Sequence, residues 1–473
     1  MLNKIWAEAV LAIGDLTMWK KSQGETDPPE LMIRITDQLK PSFDVKQIPL
    51  KIEGKLAFLL YLKTVVDGTR LQDVIIKPFF EMSSDKHFEA YINSLPDKVE
   101  LPAQEDNLLF SLTLGHVLVA IQDCFFLLDL RKVNSDIVLP TSLEATVHGP
   151  QLALSEILNT NVNIIRQRYH KPSLKVESIE LDDITHKPIA ILYDEDVVKI
   201  EVLKAIKEKL DQLDVPLIQS SGDLLLHLND KKFSLFPTMI LTERPDRIAY
   251  NLAAGKVVLM VDGTPLALLA PVIFFDFMVS TEDNYHSFWI VKFSLILRYF
   301  GLFTCIILPG LYVALISYNP DFFRTELALT VAGSRIGVPY PSYIEVIFML
   351  IFMELLTEAS IRPPKVISAA ATTVGGLILG TAATEASLVS NIMIMLIAAV
   401  AISTFVIPIN EMSFAVRVIR VLFLLFAALF GMAGLTAAFI GMIMYLTNIE
   451  SFGEPYLRFY WKAKKSELKG QKG

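Results

Sequence analysis

Three carboxylates lie within one otherwise apolar segment of the chain, and they are the first candidates for functional chemistry. The segment, residues 344–359, holds Glu345, Glu354 and Glu358 among large apolar residues. At 100° per residue in a helix, Glu354 and Glu358 share a face, and Glu345 lies about 180° from Glu354. A carboxylate in hydrocarbon costs at least about 2.5 kcal/mol. We therefore expect this helix either to face a protein or water-filled interior or to lie near a membrane surface.

An alternative keeps two of these carboxylates out of the hydrocarbon. If Glu345 and Glu358 lie at the two ends of the helix, both reach the lipid headgroups, and only Glu354 needs an interior partner.

The following segment, residues 366–389, combines glycines with hydroxyls. Gly376 and Gly380 form a small-xxx-small pair, which lets two helices approach closely in lipid. Threonines such as Thr373 and Thr381 offer hydrogen bonds without a fixed charge, so they could line a water-filled path. Spacing alone favours plain helix packing.

Catalytic chemistry has no recognisable motif in this chain. It contains no phosphate-binding loop, dinucleotide fingerprint, nucleophile elbow or His-Glu-x-x-His helix. The seven histidines are scattered, and the two cysteines, Cys124 and Cys305, are far apart, which argues against a metal site and a disulfide framework. We expect a protein that is not an enzyme and has no cofactor and no metal. Binding, gating or conduction fits better.

The distribution of charge divides the chain into two parts. Residues after Val291 contain ten acidic and fourteen basic side chains, a net charge of +4, whereas the residues up to Val291 carry −12. The N-terminal apolar stretch, residues 5–16, contains Glu8 and Asp15 and resembles an amphipathic helix more than a cleavable signal. An acidic soluble part on the cytoplasmic side is therefore expected to precede a membrane part.

Four apolar runs after residue 296 are long enough to approach the roughly 20 residues that cross a bilayer. They are Leu297–Ser317, Val366–Val389, Ile392–Ile409 and Val421–Leu446. Lysines and arginines after Glu450 favour a cytoplasmic C-terminus, which implies an even number of spans. We expect four spans plus a re-entrant or interfacial helix at Ile344–Ala359. Six spans would need that helix to cross and the last run to split near Gly431–Gly434.

The soluble part contains an internal repeat. Gly115–Gln122 resembles Gly255–Asp262, and each is followed by a second apolar run, as in a β-hairpin. Earlier in each unit, Leu56–Tyr61 matches Ile189–Tyr193, and a helical pattern follows both. Apolar strands alternating with helices predict two small α/β subdomains.

The predicted fold is thus an α/β soluble N-terminal half followed by an all-α multi-span membrane domain. Its predicted parts are residues 1–145 and 146–285 for the two α/β subdomains, 286–449 for the membrane domain and 450–473 for a basic cytoplasmic tail. The second subdomain is expected to open with a basic helix, Gln151–Tyr169. Its basic residues are expected on a solvated face, with contact to lipid headgroups or a partner as the alternative.

A series of motifs from residue 145 to residue 457 resembles the A subunits of the GerA-type spore germinant receptors. The soluble half carries His148-Gly-Pro150, Glu156, Asn161, Arg166-Gln-Arg168, Phe236-Pro237, Thr242-Glu243-Arg244-Pro245-Asp246, Val261–Pro265 and Asp276–Tyr285. The membrane half carries Leu297–Phe303, Leu308–Ala314, Ser334–Pro341, Glu354–Ala359, Val374–Gly380, Ala401–Phe405 with Pro408, and Arg417-Val-Ile-Arg420. The run Thr242–Asp246 is the most specific. Thr381, Thr384 and Asn391 depart from the family pattern, which has Gln, a small or apolar residue, and Pro there.

The resemblance implies a role and partners. An A subunit of this family acts with a B-type transporter-like subunit and a C-type lipoprotein subunit in the spore inner membrane, with its soluble half on the core side. It is expected to be a homo-oligomer in the lipid bilayer, without nucleic acid, whose membrane part forms an ion path. Candidate path or gating residues are Arg335, Glu354, Glu358, Thr373, Thr381, Glu385 and Arg417.

Other interpretations remain open. The same candidates could be structural, with an ion pair such as Glu354–Arg417 holding the helices together. The chain could also be an accessory germination or sporulation protein, acting as a non-conducting scaffold or transporter partner.

Overall fold

The computed structural model describes most of the chain between residues 28 and 458. The described ranges are 28–52, 55–102, 104–122, 124–132, 140–141, 143–144, 146–180, 186–213, 215, 217–229, 234–361 and 365–458. Of residues 360, 361, 365–372, 374 and 379, only the backbone is described. The expected N-terminal amphipathic helix and the lysines of the expected C-terminal tail lie outside these ranges. The chain forms two compact units, Met1–Ser135 with Tyr169–Glu177, and Asp136–Arg168 with Ser178–Gly473.

The first unit is built on a five-stranded antiparallel sheet with strand order β1-β2-β4-β5-β3. Its elements are α1 (Glu30–Leu39), β1 (Val45–Ile52), β2 (Lys55–Leu62), α2 (Gly68–Leu71), a π-helical segment (Gln72–Ile76), α3 (Lys77–Glu81), α4 (Asp85–Ser94), β3 (Lys98–Val99), α5 (Glu105–Thr113), β4 (His116–Ile121) and β5 (Cys124–Asp129).

Both faces of this sheet are covered, which explains why its central strands are apolar almost throughout. In β2, Leu59 packs against one face together with Phe79 and Phe88, which come from α3 and α4. Leu60 belongs to the opposite face, with residues of α1 and α5 such as Leu112. Successive side chains of a strand point to opposite faces, so a strand between two helical layers must be apolar at every position.

The α/β part of the second unit repeats the first. Its sheet has strand order β6-β7-β9-β10-β8, which is the first order with five added to every strand number. The elements are α6 (Leu158–Arg166), β6 (Leu174–Glu180), β7 (Pro188–Asp194), α7 (Ile200–Asp211), α8 (Ser221–Leu228), β8 (Ile240–Thr242), α9 (Pro245–Ala253), β9 (Val257–Val261) and β10 (Ala267–Ala270), followed by 3-10 helices Phe274–Met278 and Thr281–Tyr285. The two α/β subdomains inferred from the internal repeat are confirmed by this matching topology.

The two units divide differently from the domains expected from the sequence. Residues 169–177, placed by the sequence in the second subdomain, group with the first unit. Phe43 donates its backbone N–H to the Val176 carbonyl at 2.8 Å, and the Val176 N–H reaches Ser42 Oγ at 3.2 Å. These bonds tie the start of β6 to the residues just before β1.

The basic helix expected at Gln151–Tyr169 is shorter and less solvated than the sequence suggests. It begins at Leu158, because the residues before it bond elsewhere: Leu154 N donates to the Glu243 carbonyl at 2.8 Å, and Ser155 N donates to Asn161 Oδ1 at 2.7 Å. The expectation of a solvated basic face is wrong for Arg166, which is buried.

The rest of the second unit is helical. Its helices are α10 (Phe288–Tyr318), α11 (Thr325–Ser334), α12 (Ser342–Ile361), α13 (Lys365–Glu385), α14 (Asn391–Phe405) and α15 (Asn410–Thr447). Within the described residues, two of these, α10 and α15, are long and apolar enough to cross a membrane. The expected span Ile392–Ile409 is only 15 residues as α14, about 22 Å against a hydrocarbon thickness of about 30 Å. Its start is capped by Ser390.

Helix α15 is interrupted within its apolar run. Gly431 has φ 59° and ψ −137°, so residues 410–430 and 432–447 form two helical pieces. The split lies in the region where a six-span arrangement would require one.

The predicted C-terminal tail begins as folded structure. Strands β11 (Glu450–Ser451) and β12 (Glu454–Pro455) form a hairpin directly after α15. Phe452 belongs to the core of the second sheet, and Tyr456 is fully buried. Ser451 Oγ donates to the Thr238 carbonyl at 2.8 Å. Apolar burial therefore returns the chain to the α/β part, at least as far as residue 458.

A glycine occupies the same position in both α/β repeats. Gly115 and Gly255 each follow a helix, with φ of +101° and +80°, and a Cβ at either would lie 2.7 Å from a backbone carbonyl oxygen, that of Val65 or Val197. Each of those carbonyls lies three residues after the preceding central strand. The left-handed conformation and the close approach together require glycine.

We predict that Gly115→Ala lowers the free energy of unfolding by about 2 kcal/mol or more, because the left-handed conformation alone costs a non-glycine residue about 1–2 kcal/mol. Gly68→Ala in the same unit is the matched control, since a Cβ there meets nothing within 4 Å. Thermal unfolding of the purified chain in detergent measures both. Equal midpoints for the two variants would contradict the assignment.

Candidate functional site

The candidate site is a group of charges among the helices of the second unit, in which the Arg420 side chain is fully buried and those of Arg417 and Glu354 are 15% and 31% exposed. Glu354, in the middle of α12, accepts hydrogen bonds from two arginines of α15. Arg417 Nε lies 2.6 Å from Glu354 Oε2, and Arg420 Nη2 donates to Glu354 Oε1. The two arginines are three residues apart, which places them on one face of their helix. The pair Glu354–Arg417 suggested by the sequence is present, and a second arginine shares the same carboxylate.

Four helices meet at Arg420, whose side chain is 0% exposed. Its Nη1 lies 3.5 Å from both Cys305 Sγ of α10 and Thr404 Oγ1 of α14, which lie 3.1 Å from each other. We call Glu354, Arg417, Arg420, Cys305 and Thr404 the Glu354 cluster. An arginine that remains charged in such a place must be paired, because leaving it without a carboxylate costs several kcal/mol.

A second buried carboxylate joins α12 to the start of α14. The Glu345 side chain is 0% exposed, and its Oε1 accepts hydrogen bonds from Ser390 N at 2.6 Å and Ser390 Oγ at 2.7 Å. Arg335 Nε lies 3.3 Å from Oε2, without the alignment of a hydrogen bond. A carboxylate at a helix N-terminus is favoured by the free N–H groups there. The alternative that places Glu345 among lipid headgroups is therefore wrong.

In the described part of the chain, the four remaining predicted path residues lie on exposed surface: Glu358, Thr373, Thr381 and Glu385. Thr381 Oγ1 donates to the Leu377 carbonyl of its own helix at 3.0 Å. Their role in a path stays a prediction.

The glycine pair of α13 does not pack against another helix of this chain. In the described part of the chain, a Cβ at Gly376 or Gly380 would meet nothing within 4 Å. The adjacent Gly375 faces α12 instead, where its Cβ would lie 3.4 Å from Leu356 Cδ2. Since adjacent helical residues differ by 100°, the Gly376–Gly380 face points away from α12.

Arg244, in the Thr242–Asp246 motif, joins that motif to an earlier segment of the α/β part that holds Glu144, Thr146 and Pro150. Its side chain is 0% exposed and forms a two-bond contact with Asp246, through Nε–Oδ1 at 3.1 Å and Nη2–Oδ2 at 2.8 Å. Arg244 Nη1 also donates to the Glu144 carbonyl and Thr146 Oγ1, and Nη2 donates to the Pro150 carbonyl.

The rest of the motif supports this arrangement. Glu243 Oε1 accepts backbone N–H groups of Leu143 and Glu144, and Pro245 stands at the start of α9. Thr242 Oγ1 accepts the backbone N–H of Arg244 at 3.2 Å. The motif therefore bonds to described residues on both sides of the loop, at positions 143–144 and 146–150.

Asp246 extends this network towards the helical part. Tyr285, two residues before the helix cap Ser287, donates its hydroxyl to Asp246 Oδ2 at 2.8 Å. Burial raises the pKa of the Asp246 carboxyl, but the hydrogen bonds from Arg244 and Tyr285 outweigh it and hold that pKa below its usual value. Burial and the Asp246 charge raise the pKa of Tyr285 to about 12.

Sequence reasoning missed several of these residues. Arg420, Cys305, Thr404 and Ser390 were not among the site candidates, and Glu345 was noted as a carboxylate in an apolar segment but not as a path or gating residue. Arg420 had a signal, since it is a second charge in an apolar run three residues after Arg417. His148, Glu282 and His286 also converge in a way the sequence analysis did not anticipate, and their ligand atoms lie close enough to hold a metal ion. The expectation of no metal stays a prediction. Glu282 and His286 are four residues apart, a spacing visible in the sequence.

Comparisons with known proteins agree with the sequence resemblance. The family model for the Bacillus/Clostridium GerA spore germination protein matches residues 33–471. Spore germination protein KA of Bacillus subtilis (strain 168) is 32% identical over 406 residues, covering 84% of this chain and 75% of that protein. Spore germination protein GerLA of Bacillus cereus is 35% identical over 317 residues, 67% of this chain and 64% of that protein. Spore germination protein A1 of Bacillus subtilis (strain 168) is 31% identical over 428 residues, covering 89% of this chain and 88% of that protein.

Among solved structures, the N-terminal domain of the A subunit of the Bacillus megaterium spore germinant receptor GerK3 matches with 23% identity and a TM-score of 0.39. The match covers 51% of this chain and 94% of that domain.

We predict that Glu354→Gln lowers the free energy of unfolding by about 3 kcal/mol, because it leaves the buried Arg420 without a carboxylate. Glu385→Gln, an exposed carboxylate of α13, should change it by less than about 0.5 kcal/mol. Thermal unfolding in detergent tests both. If the two variants unfold at the same temperature, Glu354 does not hold the helices together.

We also predict that Asp246→Asn destabilises the protein by about 3 kcal/mol, since Arg244 loses its buried partner. Because the pKa of Asp246 is lowered in the folded state, its contribution is present above its unfolded pKa of about 3.9 and is lost as pH falls through the native value. The difference between the wild type and the variant, measured by unfolding at a series of pH values, should therefore shrink below about pH 4. Tyr285→Phe is the graded control, with an expected loss of about 1 kcal/mol.

Proposed function

This chain belongs to the Bacillus/Clostridium GerA family of spore germination proteins, and on that premise we propose that it is the A subunit of a germinant receptor in the spore inner membrane. The relatives named as spore germination proteins support this assignment. The proposed role is signal transduction rather than catalysis, in which germinant binding on a partner leads to ion release.

The observation that carries the mechanism is the single carboxylate of Glu354 shared by Arg417 and Arg420. It joins α12 to α15, and Arg420 brings α10 and α14 to the same point. The hydrogen bonds of this cluster join four helices and so stabilise one packing of them. A change to another packing must break those bonds together. We propose that germinant binding shifts the population between two such packings.

The attachment of the helices offers a route for that shift. Arg298, in the third turn of α10, donates to Asp283 Oδ1 at 2.9 Å and to the Met278 carbonyl at 3.1 Å. At the other end of the helical part, Tyr445 of α15 accepts the Leu235 N–H at 3.0 Å. The first and last helices are thus both bonded to the same α/β part, so a rearrangement of that part reaches both.

The same attachment supports a multi-span arrangement. Since α10 leaves the α/β part and the chain after α15 returns to it, the helical part begins and ends on one side. An even number of crossings follows for a chain inserted in a bilayer. We propose that the α/β part lies on the cytoplasmic, or core, side of the membrane, where the family resemblance places the soluble half of an A subunit.

Exposed polar residues of the helices support an assembly. Glu358, Thr373, Thr381 and Glu385 lie on the surface of a single chain. Polar groups at membrane depth face protein or water rather than lipid. We propose a homo-oligomer in which these residues line an ion path, together with Arg335, Glu354 and Arg417. The assembly would work with a B-type transporter-like subunit and a C-type lipoprotein.

The test is a deletion of this gene, followed by potassium and dipicolinic acid release from spores exposed to a panel of nutrients. We predict loss of the response to one nutrient class with the others intact. Spores carrying Glu354→Gln at normal protein level should show altered release to that same nutrient. Normal release to every nutrient after deletion would instead favour an accessory, non-conducting germination protein.

A further inference from the structure

Two histidines and a glutamate meet where the α/β part gives way to the first long helix. His148 Nδ1 lies 3.1 Å from Glu282 Oε1, and His286 Nε2 lies 3.5 Å from the same oxygen. The ligand atoms of all three lie within 4.8 Å of one another, the one such group of three among the described residues. We propose that His148, Glu282 and His286 bind a divalent transition metal ion of the zinc class. This goes beyond the proposed receptor function, which needs no metal.

The spacing of the three ligand atoms suits a small tetrahedral ion. Zinc binds histidine nitrogen at about 2.0–2.1 Å and carboxylate oxygen at about 2.0–2.2 Å. In a tetrahedral site, these bond lengths place ligand atoms roughly 3.4 Å apart, close to the two distances seen here. The imidazole rings of His148 and His286 are inclined at 72° with centroids 5.4 Å apart, so they do not stack. This inclination allows a nitrogen of each ring to bind the same ion.

The chemistry of the ligands selects the metal. Two neutral imidazoles and one carboxylate match the set that holds zinc with one position left open. Calcium and magnesium take oxygen ligands almost exclusively, so this site does not suit them. The fourth position can take water, because the His148 side chain is 62% exposed.

The ligands are held by the surrounding backbone. Glu282 Oε2 accepts the Val147 N–H at 3.0 Å, and Oε1 accepts the His148 N–H at 3.2 Å. These bonds orient the carboxylate, as outer partners do in metal sites. The Glu282 turn is capped by Ser280, whose Oγ accepts the Glu282 N–H at 3.4 Å.

An ordinary ion pair between helix neighbours does not account for the group. Asp223 and His227 show what such a pair looks like: they are also four residues apart, with Nε2 at 3.6 Å from Oδ1, and they belong to no three-ligand group in the described residues. The group of His148, Glu282 and His286 differs from that pair because it has a third ligand, His148, which lies more than 130 residues earlier in the chain than Glu282.

A bound ion would act as a clamp at this junction. His286 lies just before the helix cap Ser287, and His148 lies in the segment that Arg244 holds. The metal would therefore join residues 146–150 to the beginning of the first long helix.

The full chain, purified in detergent through a tag that contains no histidine and stripped with EDTA, is titrated with Zn²⁺ and with Co²⁺. We expect one ion per chain, with a tetrahedral Co²⁺ absorption band, and a higher unfolding temperature on Zn²⁺ addition. His148→Ala and His286→Ala should each weaken Zn²⁺ binding at least about tenfold. His227→Ala is the matched control and should bind as the wild type does.

Stability without metal separates a ligand from a structural residue. His148 is largely exposed, so the His148→Ala variant in EDTA should unfold at the wild-type temperature. Addition of Zn²⁺ should then raise the unfolding temperature of the wild type but not that of the variant. Absence of saturable Zn²⁺ binding by the wild type, or equal binding by His148→Ala and the wild type, would overturn the proposal. Either result would leave the receptor assignment untouched, because the spore experiment tests that assignment separately.

Discussion

A guanidinium enclosed by apolar helices has to find a carboxylate, and the packing of the helical part depends on how Arg420 does so. Its partner, Glu354, lies 66 residues earlier in the chain. The buried guanidinium is not tolerable alone among apolar side chains, since leaving it without its carboxylate costs several kcal/mol. The helices that carry them must therefore pack together. Cys305 and Thr404 complete the junction by offering weak acceptors to the Arg420 Nη1 group.

The same rule organises the α/β part at a second place. Arg244 is as completely buried as Arg420, but it is surrounded by backbone carbonyls as well as a carboxylate. This arrangement fixes a segment without regular secondary structure, which apolar packing alone would not do. Through Asp246 and Tyr285, it also reaches the residues that lead into the first long helix.

The two α/β repeats have the same strand order but different attachments. Only the second belongs to the compact unit that contains the helices. Its sheet receives Phe452 of the C-terminal hairpin into its core, and Tyr456 packs against the rings of Phe236 and Phe274. The second α/β repeat thus differs from the first because it also contacts both ends of the helical part. This asymmetry suits a protein that transmits a rearrangement between an α/β part and a set of helices.

The sequence by itself determined the local and periodic features of this protein. Apolar runs repeated in the two units predicted both sheets, and they are visible in the sequence because a strand covered on two faces must be apolar throughout. Family membership followed from the motif order, and Glu354 was identified because a carboxylate in an apolar run needs a partner.

Tertiary structure decided which distant residues meet. The burial of Glu345, the second arginine at Glu354, the folded hairpin after α15 and the convergence of His148 with His286 all join segments far apart in the chain. Periodicity reports only which face of an element is apolar, and it carries no information about which other element covers that face. The partner of a buried charge is selected by packing geometry, which arises only when the helices and sheets come together.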